Sequence, residues 1–223
     1  MTGIHKSGWP WIGGSAAVGL ALAGLGGACA HTGLIVSGLG LGLGGALFML
    51  YFHRDPDRRP PADPDLILAG ADGLIRRIET LPACDGIEGP ALRLSIYLSP
   101  LDVHINRSPI AGEVRNVTYT PGLHLLTWCN RASEMNEHSA ILIRGPQGPC
   151  LVHQIVGPVV RRVVAWLTPG QPLAAGERFG MMRFGSRLDT YLPANAVEVL
   201  VQTGDPVRAG ETPVARWTHP EKP

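Results

Sequence analysis

The sequence predicts a mainly β (α+β) catalytic domain, a compact sandwich or barrel-like fold, carried behind an amino-terminal transmembrane helical hairpin. Three observations predict it: an uncharged apolar stretch at the amino end, short strand-like runs beyond it, and a glycine turn that occurs twice. The chain has 223 residues, room for one ordinary domain plus the hairpin.

From Ser7 through Phe52 there is no Asp, Glu, Lys or Arg. Crossing the hydrocarbon core takes about 20 apolar residues, so a single helix would overshoot it badly. The stretch therefore reads as two spans, residues 9–30 and 33–51, broken near His31-Thr32. Trp9, Trp11, Tyr51 and Phe52 suit the headgroup level, and Lys6 on one side with His53, Arg54, Arg58 and Arg59 on the other makes both flanks basic. The positive-inside rule then puts both flanks in the cytoplasm, with the anchor (1–53) in the cell inner membrane and the catalytic domain facing inward. Gly38, Gly40, Gly42 and Gly44 give overlapping GxxxG spacings, either a close helix seam or simply tolerated composition. Ala28-Cys29-Ala30 has the look of a signal-peptide cleavage site. The second apolar run and its basic end favour the hairpin.

Asp55-Pro-Asp-Arg-Arg-Pro-Pro-Ala-Asp-Pro cannot hold a helix and marks a linker, 54–65, before a domain at 66–223. Strand-like runs follow at 74–79, 91–98, 112–119, 140–144, 151–156 and 197–202, and Leu92-Arg-Leu-Ser-Ile-Tyr-Leu alternates as a half-buried strand should. Convincing helical periods of 12 or more residues are missing from this part; 158–166 is ambiguous. Gly170-Gln-Pro-Leu-Ala-Ala-Gly-Glu-Arg is matched by Gly204-Asp-Pro-Val-Arg-Ala-Gly-Glu-Thr, a turn leading into a strand both times. Such turns are similar to those of lipoyl and biotinyl carrier domains, but a carrier needs a lysine at a hairpin tip. Lys6 and Lys222 are the only lysines, which excludes that role.

A net charge of +1 argues against nucleic-acid binding through a basic surface. Cys29, Cys84, Cys129 and Cys150 form no CxxC pair, so neither a disulfide framework nor a zinc site is indicated, and no metal is expected. Chemistry concentrates in three segments: Ala69-Gly-Ala-Asp-Gly, Ser99-Pro-Leu-Asp-Val-His-Ile-Asn-Arg-Ser-Pro and Arg183-Phe-Gly-Ser-Arg-Leu-Asp. They offer Asp72 or Asp102, His104 and Ser186, the residue types of a nucleophile with its base and orienter. Taken singly, each has a plainer reading as an Asx turn, a local cap, a structural histidine or a turn serine. No G-x-S-x-G elbow surrounds Ser186, which weakens a hydrolase reading.

Together, Tyr51-Phe-His-Arg-Asp-Pro-Asp-Arg, Ala71-Asp-Gly, Leu98-Ser-Pro-Leu-Asp-Val-His-Ile-Asn-Arg, Asn136-Glu137, Gln154-Ile-Val-Gly, Arg161-Arg162 and Phe179-Gly-Met-Met-Arg-Phe-Gly-Ser-Arg resemble the phosphatidylserine decarboxylase family, in its short branch. The resemblance implies a proenzyme that cuts itself between Gly185 and Ser186, leaving a β chain 1–185 and an α chain 186–223 that stay together as a heterodimer. Ser186 would become a covalent pyruvoyl group, the cofactor, whose carbonyl forms a Schiff base with the serine headgroup of phosphatidylserine in the membrane and accepts electrons as CO₂ leaves. It further implies proton transfer by His104 and orientation of the base by Asp72. Long-form members carry a second histidine where this chain has Arg107. Arg107, Arg161 and Arg162 are the arginines offered for the lipid phosphate or carboxylate. Decarboxylation of another serine-headgroup lipid, or a non-catalytic membrane-tethered lipid-binding relative, remain the alternatives.

Overall fold

The computed structural model describes residues 3–127, 131–158, 163–182 and 186–218. The chain forms two compact units, residues 1–57 and 58–223.

In the first unit, β1 (Gly3–Ile4) pairs antiparallel with β2 (Arg54–Asp55), and between them run α1 (Trp9–Ala28) and α2 (Thr32–Phe52). At 1.5 Å per residue each helix is about 30 Å long, the thickness of a hydrocarbon core. Both are long and apolar enough to cross a membrane. The turn between them is capped by His31, whose Nδ1 accepts from the Leu34 amide at 3.1 Å. Glycine sets how closely the helices approach. A Cβ on Gly19 would lie 2.4 Å from the Gly42 Cα and 2.7 Å from the Gly38 carbonyl oxygen, whereas Gly40 and Gly44 face open space. Of the two GxxxG phases in α2, only Gly38-x-x-x-Gly42 is the seam. Leu20, Val36, Leu41 and Leu43 point outward and are exposed. Because the helices are antiparallel, Trp9, Trp11 and Tyr51 gather at one end, where the Arg54 guanidinium lies 3.9 Å from the Tyr51 ring centroid.

The second unit is built from β3 (Leu66–Leu68), β4 (Gly73–Leu81), β5 (Ala91–Tyr97), β6 (Ile105–Arg107), β7 (Gly112–Thr120), the one-turn helix α3 (Ala132–Met135), β8 (His138–Arg144), β9 (Pro149–Ile155), β10 (Val164–Ala165), β11 (Pro172–Leu173), β12 (Arg178–Met181), β13 (Arg187–Pro193), β14 (Val197–Val199), β15 (Pro206–Val207) and β16 (Pro213–Trp217). Eight strands form one curled sheet in the order β11-β7-β8-β9-β13-β5-β4-β15. Two three-stranded sheets, β10-β12-β6 and β14-β16-β3, accompany it. The core joins Ile75, Leu94, Ile96, Ile141, Ile143 and Leu188 of the large sheet to Ile67, Phe179, Val214 and Trp217 of the small ones. The mainly β architecture expected from the sequence is the one observed.

The duplicated turn explains the curl. Its two copies supply β11 and β15, the two edge strands of the large sheet, and each carries a proline that an edge strand tolerates. Gly176 and Gly210, the second glycine of each copy, have φ of +75° and +72°. They also touch: a Cβ on Gly210 would lie 3.2 Å from the Gly176 Cα. The turns behind opposite edges of the sheet therefore meet, and the sheet bends to allow it.

The strand runs anticipated from alternation are present, but β13, the strand between β9 and β5, was not among them. Its segment Arg187-Leu-Asp-Thr-Tyr-Leu-Pro is buried on both faces through residue 192. Leu188, Thr190 and Leu192 lie opposite Ile96, Leu94 and Leu92, whereas Arg187, Asp189 and Tyr191 lie opposite Tyr97, Ser95 and Arg93. Opposed residues share a face of the sheet. One face is thus apolar core and the other a buried polar layer, and Thr190 beside Asp189 breaks the apolar–polar alternation that marks a strand.

Candidate active site

Asp72 sits between β3 and β4, just before Gly73, whose φ of +147° turns the chain into the sheet. A Cβ on Gly73 would lie 2.1 Å from the Tyr97 carbonyl oxygen, so this close passage of β4 along β5 needs glycine. Both oxygens of Asp72 are engaged. Oδ1 accepts from the Ala209 amide at 2.8 Å, and Oδ2 from Arg58 Nη2 at 2.8 Å. Burial is the larger influence and pushes the carboxyl above its ordinary range; the Ala209 amide and the Arg58 charge pull it back, and Asp102 adds a smaller upward push.

Asp102 is the local cap its position suggested. Its Oδ2 accepts from the Ser99 amide at 2.7 Å, while its own amide donates to the Ser99 carbonyl at 3.0 Å. That tight turn delivers His104, which is wholly buried. His104 Nδ1 lies 2.8 Å from the Asp102 carbonyl oxygen. A carbonyl only accepts, so Nδ1 carries the proton in the neutral ring and Nε2 carries the lone pair of a base.

Ser186 stands at the head of β13, also wholly buried, and its carbonyl accepts from the Leu98 amide at 3.0 Å. Its hydroxyl has no hydrogen-bond partner among the described residues. On the other side of residues 183–185, the Met182 amide donates to the His104 carbonyl at 3.1 Å. The chain from Met182 to Ser186 thus starts on the backbone of His104 and ends on that of Leu98. Four residues span at most about 14 Å, so Ser186 is held near the 98–104 loop. Gly185, with Arg161 and Arg162, lies outside the described residues.

A cleft of about 660 Å³ opens beside this loop, lined among others by Asp72, Ser99, Asp102, Arg76, Tyr97 and Arg208. Tyr97 and Ser99 flank Leu98, the residue bonded to Ser186. A second pocket of about 440 Å³ shares Arg76 and Tyr97 and adds Arg77, Ser95, Thr127 and Arg187. Arg76 and Arg208 in the first cavity, and Arg76 and Arg77 in the second, are guanidinium groups of the kind that bind phosphate or carboxylate. Arg107, by contrast, is directed into the fold: its Nη1 donates to the Gly176 carbonyl at 3.1 Å and its Cδ packs against Gly210.

Two features of the site were not read from the sequence. Arg58, in a stretch taken for a linker, is one. The other is the polar layer behind Ser186. There Arg187 Nε and Nη2 meet the Asp189 carboxylate at 2.9 and 3.0 Å, Ser133 Oγ donates to Asp189 at 3.1 Å, and Arg187 Nη1 reaches the Thr127 carbonyl at 2.8 Å. Arg93 joins it through Ser133 and Glu79. The i, i+2 spacing of Arg187 and Asp189, which puts both on one face of a strand, was the available signal.

The profile of the family described as phosphatidylserine decarboxylase matches residues 46–215. The chain belongs to this family. Among curated relatives, a phosphatidylserine decarboxylase proenzyme of Salinibacter ruber is 45% identical over 186 residues, 82% of each chain. One of Desulfotalea psychrophila is 43% identical over 74% of this chain and 77% of its own. One of Azorhizobium caulinodans is 41% identical over 96% of this chain and 89% of its own. The decarboxylase fold family and the proenzyme character of these relatives meet the expectation drawn from the motifs.

Proposed function

We propose that this member of the phosphatidylserine decarboxylase family is itself a phosphatidylserine decarboxylase, made as a proenzyme that cuts itself between Gly185 and Ser186. The observation that supports the reading is the Ser186 hydroxyl, buried without a partner among the described residues at the head of a central strand and beside the loop that bears His104. A buried hydroxyl left unpaired is costly unless its partner is met during reaction. In the cut, Ser186 Oγ adds to the Gly185 carbonyl carbon and the amide nitrogen leaves, so an ester replaces the peptide bond. Loss of the Ser186 α-proton then expels the Gly185 carboxylate, and water releases ammonia from residue 186. To His104 Nε2 falls the taking and returning of protons, a role supported by the Asp102 carbonyl that fixes the ring through Nδ1. Asp72 contributes a carboxylate to the cleft that Ser99 and Asp102 of the His104-bearing loop also line.

A pyruvoyl group at residue 186 would supply the electron-accepting carbonyl that decarboxylation needs and that no ordinary side chain provides. The polar layer behind β13 holds that position rigidly. Arg76 and Arg208 in the cleft suit the anionic headgroup, and Arg161 and Arg162 stay candidates for it; Arg107 serves the turn stack. The hairpin supports a membrane location, with the catalytic unit at the cytoplasmic face of the inner membrane where a diacyl substrate resides.

Intact mass of the wild-type and Ser186→Ala chains tests the reading. Residues 186–223 of a 23.7 kDa chain should appear as a fragment of about 4 kDa without a free amino terminus, and only in wild type. A wild-type chain that stays whole would sink it. Release of CO₂ from phosphatidylserine and from other serine-headgroup lipids then fixes the substrate.

A further inference from the structure

Arg58 is the first residue of the catalytic unit, yet its side chain is only 7% exposed. Its fork is divided between two carboxylates: Nη2 lies 2.8 Å from Asp72 Oδ2 and Nη1 lies 2.8 Å from Glu211 Oε2. The neighbouring backbone follows the same track. The Arg59 amide donates to Glu211 Oε1 at 3.4 Å, and Pro60 sits against Gly176, where a Cβ would fall 2.4 Å from its Cγ. Residues 58–60, expected to be a loose linker, are laid along the wall that holds Asp72.

We propose that Arg58 is a positioning residue for Asp72, fixing the direction of that carboxylate and keeping it ionised for self-cleavage. The proposal rests on the reading that Asp72 takes part in the cut. A carboxylate rotates about its Cβ–Cγ bond unless both oxygens are held. The Ala209 amide holds one and Arg58 the other, while Glu211 prevents Arg58 from swinging away, since it grips the remaining amino group of the same rigid fork. A lysine in this place could not span both acids as a planar fork does.

The charges around Asp72 fix the sign of the effect. Arg58 faces it from the linker; Arg208 and Glu211 flank Ala209 in the turn after β15; Asp102 faces it from the loop after β5, and Arg76 lines the same cleft from β4. Burial and Asp102 favour the protonated acid, whereas Arg58 and the Ala209 amide favour the anion. Removing Arg58 removes an attraction and leaves the burial, so protonation would begin at higher pH.

The experiment follows self-cleavage of the full chain in membranes between pH 5.5 and 9 for wild type, Arg58→Met, Arg58→Lys and Asp72→Asn. Arg58→Met should cut at least tenfold more slowly at pH 7, with the acid limb of its pH–rate profile moved up by about one unit and the rate recovering toward alkaline pH. Arg58→Lys, which keeps the charge and loses the fork, should keep the wild-type limb and lose roughly threefold at the plateau. Wild-type rate and limb in Arg58→Met overturn the proposal. Should that variant fail to accumulate in membranes, Arg58→Lys decides alone, and a wild-type plateau overturns it. Asp72→Asn separates the two levels: if it cuts normally, the role of Asp72 itself falls, whereas a blocked Asp72→Asn beside a normal Arg58→Met removes only Arg58.

Discussion

Replacing Gly73 with alanine would load two separate costs onto the backbone that presents Asp72. At φ +147° an L side chain is strained, a cost of about 1–3 kcal/mol. The added Cβ would also lie 2.1 Å from the Tyr97 carbonyl oxygen, a backbone atom that cannot rotate away. The Leu74–Tyr97 step of the β4–β5 ladder must open, at about 1 kcal/mol for each hydrogen bond lost. With one such bond lost the sum is about 2–4 kcal/mol. For a domain of this size each kcal/mol lowers Tm by about 2–4 °C, so a fall of roughly 10 °C is expected. Gly89 is the control, because it has a φ of +76° but open space around it; Gly89→Ala should cost only about 1 kcal/mol and about 3 °C. Thermal unfolding in detergent, with both changes made on the Ser186→Ala chain, keeps stability separate from cleavage. In the wild-type background Gly73→Ala should also cut slowly, since the strand shift moves Asp72. A Tm within 2–3 °C of the parent would refute the argument from close passage.

Asp189→Ala should destabilise by about 3–5 kcal/mol, because it leaves the Arg187 guanidinium buried without its carboxylate, and its urea midpoint should fall accordingly. Burial and the stacked His138 hold His153 down to about 4, while an unfolded histidine titrates near 6.5. The unfolded chain therefore binds the proton first, so the stability linked to this residue is complete above about pH 6.5 and is lost as pH falls toward 4. His153→Phe should unfold with a shallower pH dependence over that window, by about 2 kcal/mol, measured by urea titration at pH 7 and pH 4.5. In the hairpin, Gly19→Val should force the helices apart and lower the yield of folded, extractable chain, whereas Gly40→Val should leave it unchanged.

Much of the fold was legible because it obeys local rules. The helices announced themselves by an absence of charge, and β5 by alternation of apolar and polar residues, although both of its faces are buried and not one, as the alternation suggested. The duplicated turn was visible as a repeat; that its copies form opposite sheet edges and meet at Gly176 and Gly210 depends on curvature, which has no local signature. β13 escaped because Thr190 beside Asp189 breaks its apolar–polar alternation, whereas β5, equally buried, keeps its own. Of the candidate site, positions 72, 104 and 186 were proposed from motif, and the structure brings their segments near the 97–104 stretch. Arg58 was not readable, since proline and charge in 55–64 look like a linker whether or not an arginine there has found two acids. Arg107 shows another limit of motif reading: its charge suggested substrate, and in the structure its Nη1 reaches the Gly176 carbonyl.

The position of β13 has a consequence for what a cut before Ser186 can release. The new terminus would begin a strand clamped by seven paired residues on β5 and five on β9. Such a cut frees an end without freeing a piece: the short chain is a latch inside the long one, and withdrawing it means dismantling the sheet. The two products should travel together through any native separation and part only in denaturant. The order of events is fixed by the same geometry. A chain that has not yet closed its sheet around β13 does not hold Ser186 beside Leu98, so maturation reports on folding, and a misfolded copy stays chemically silent.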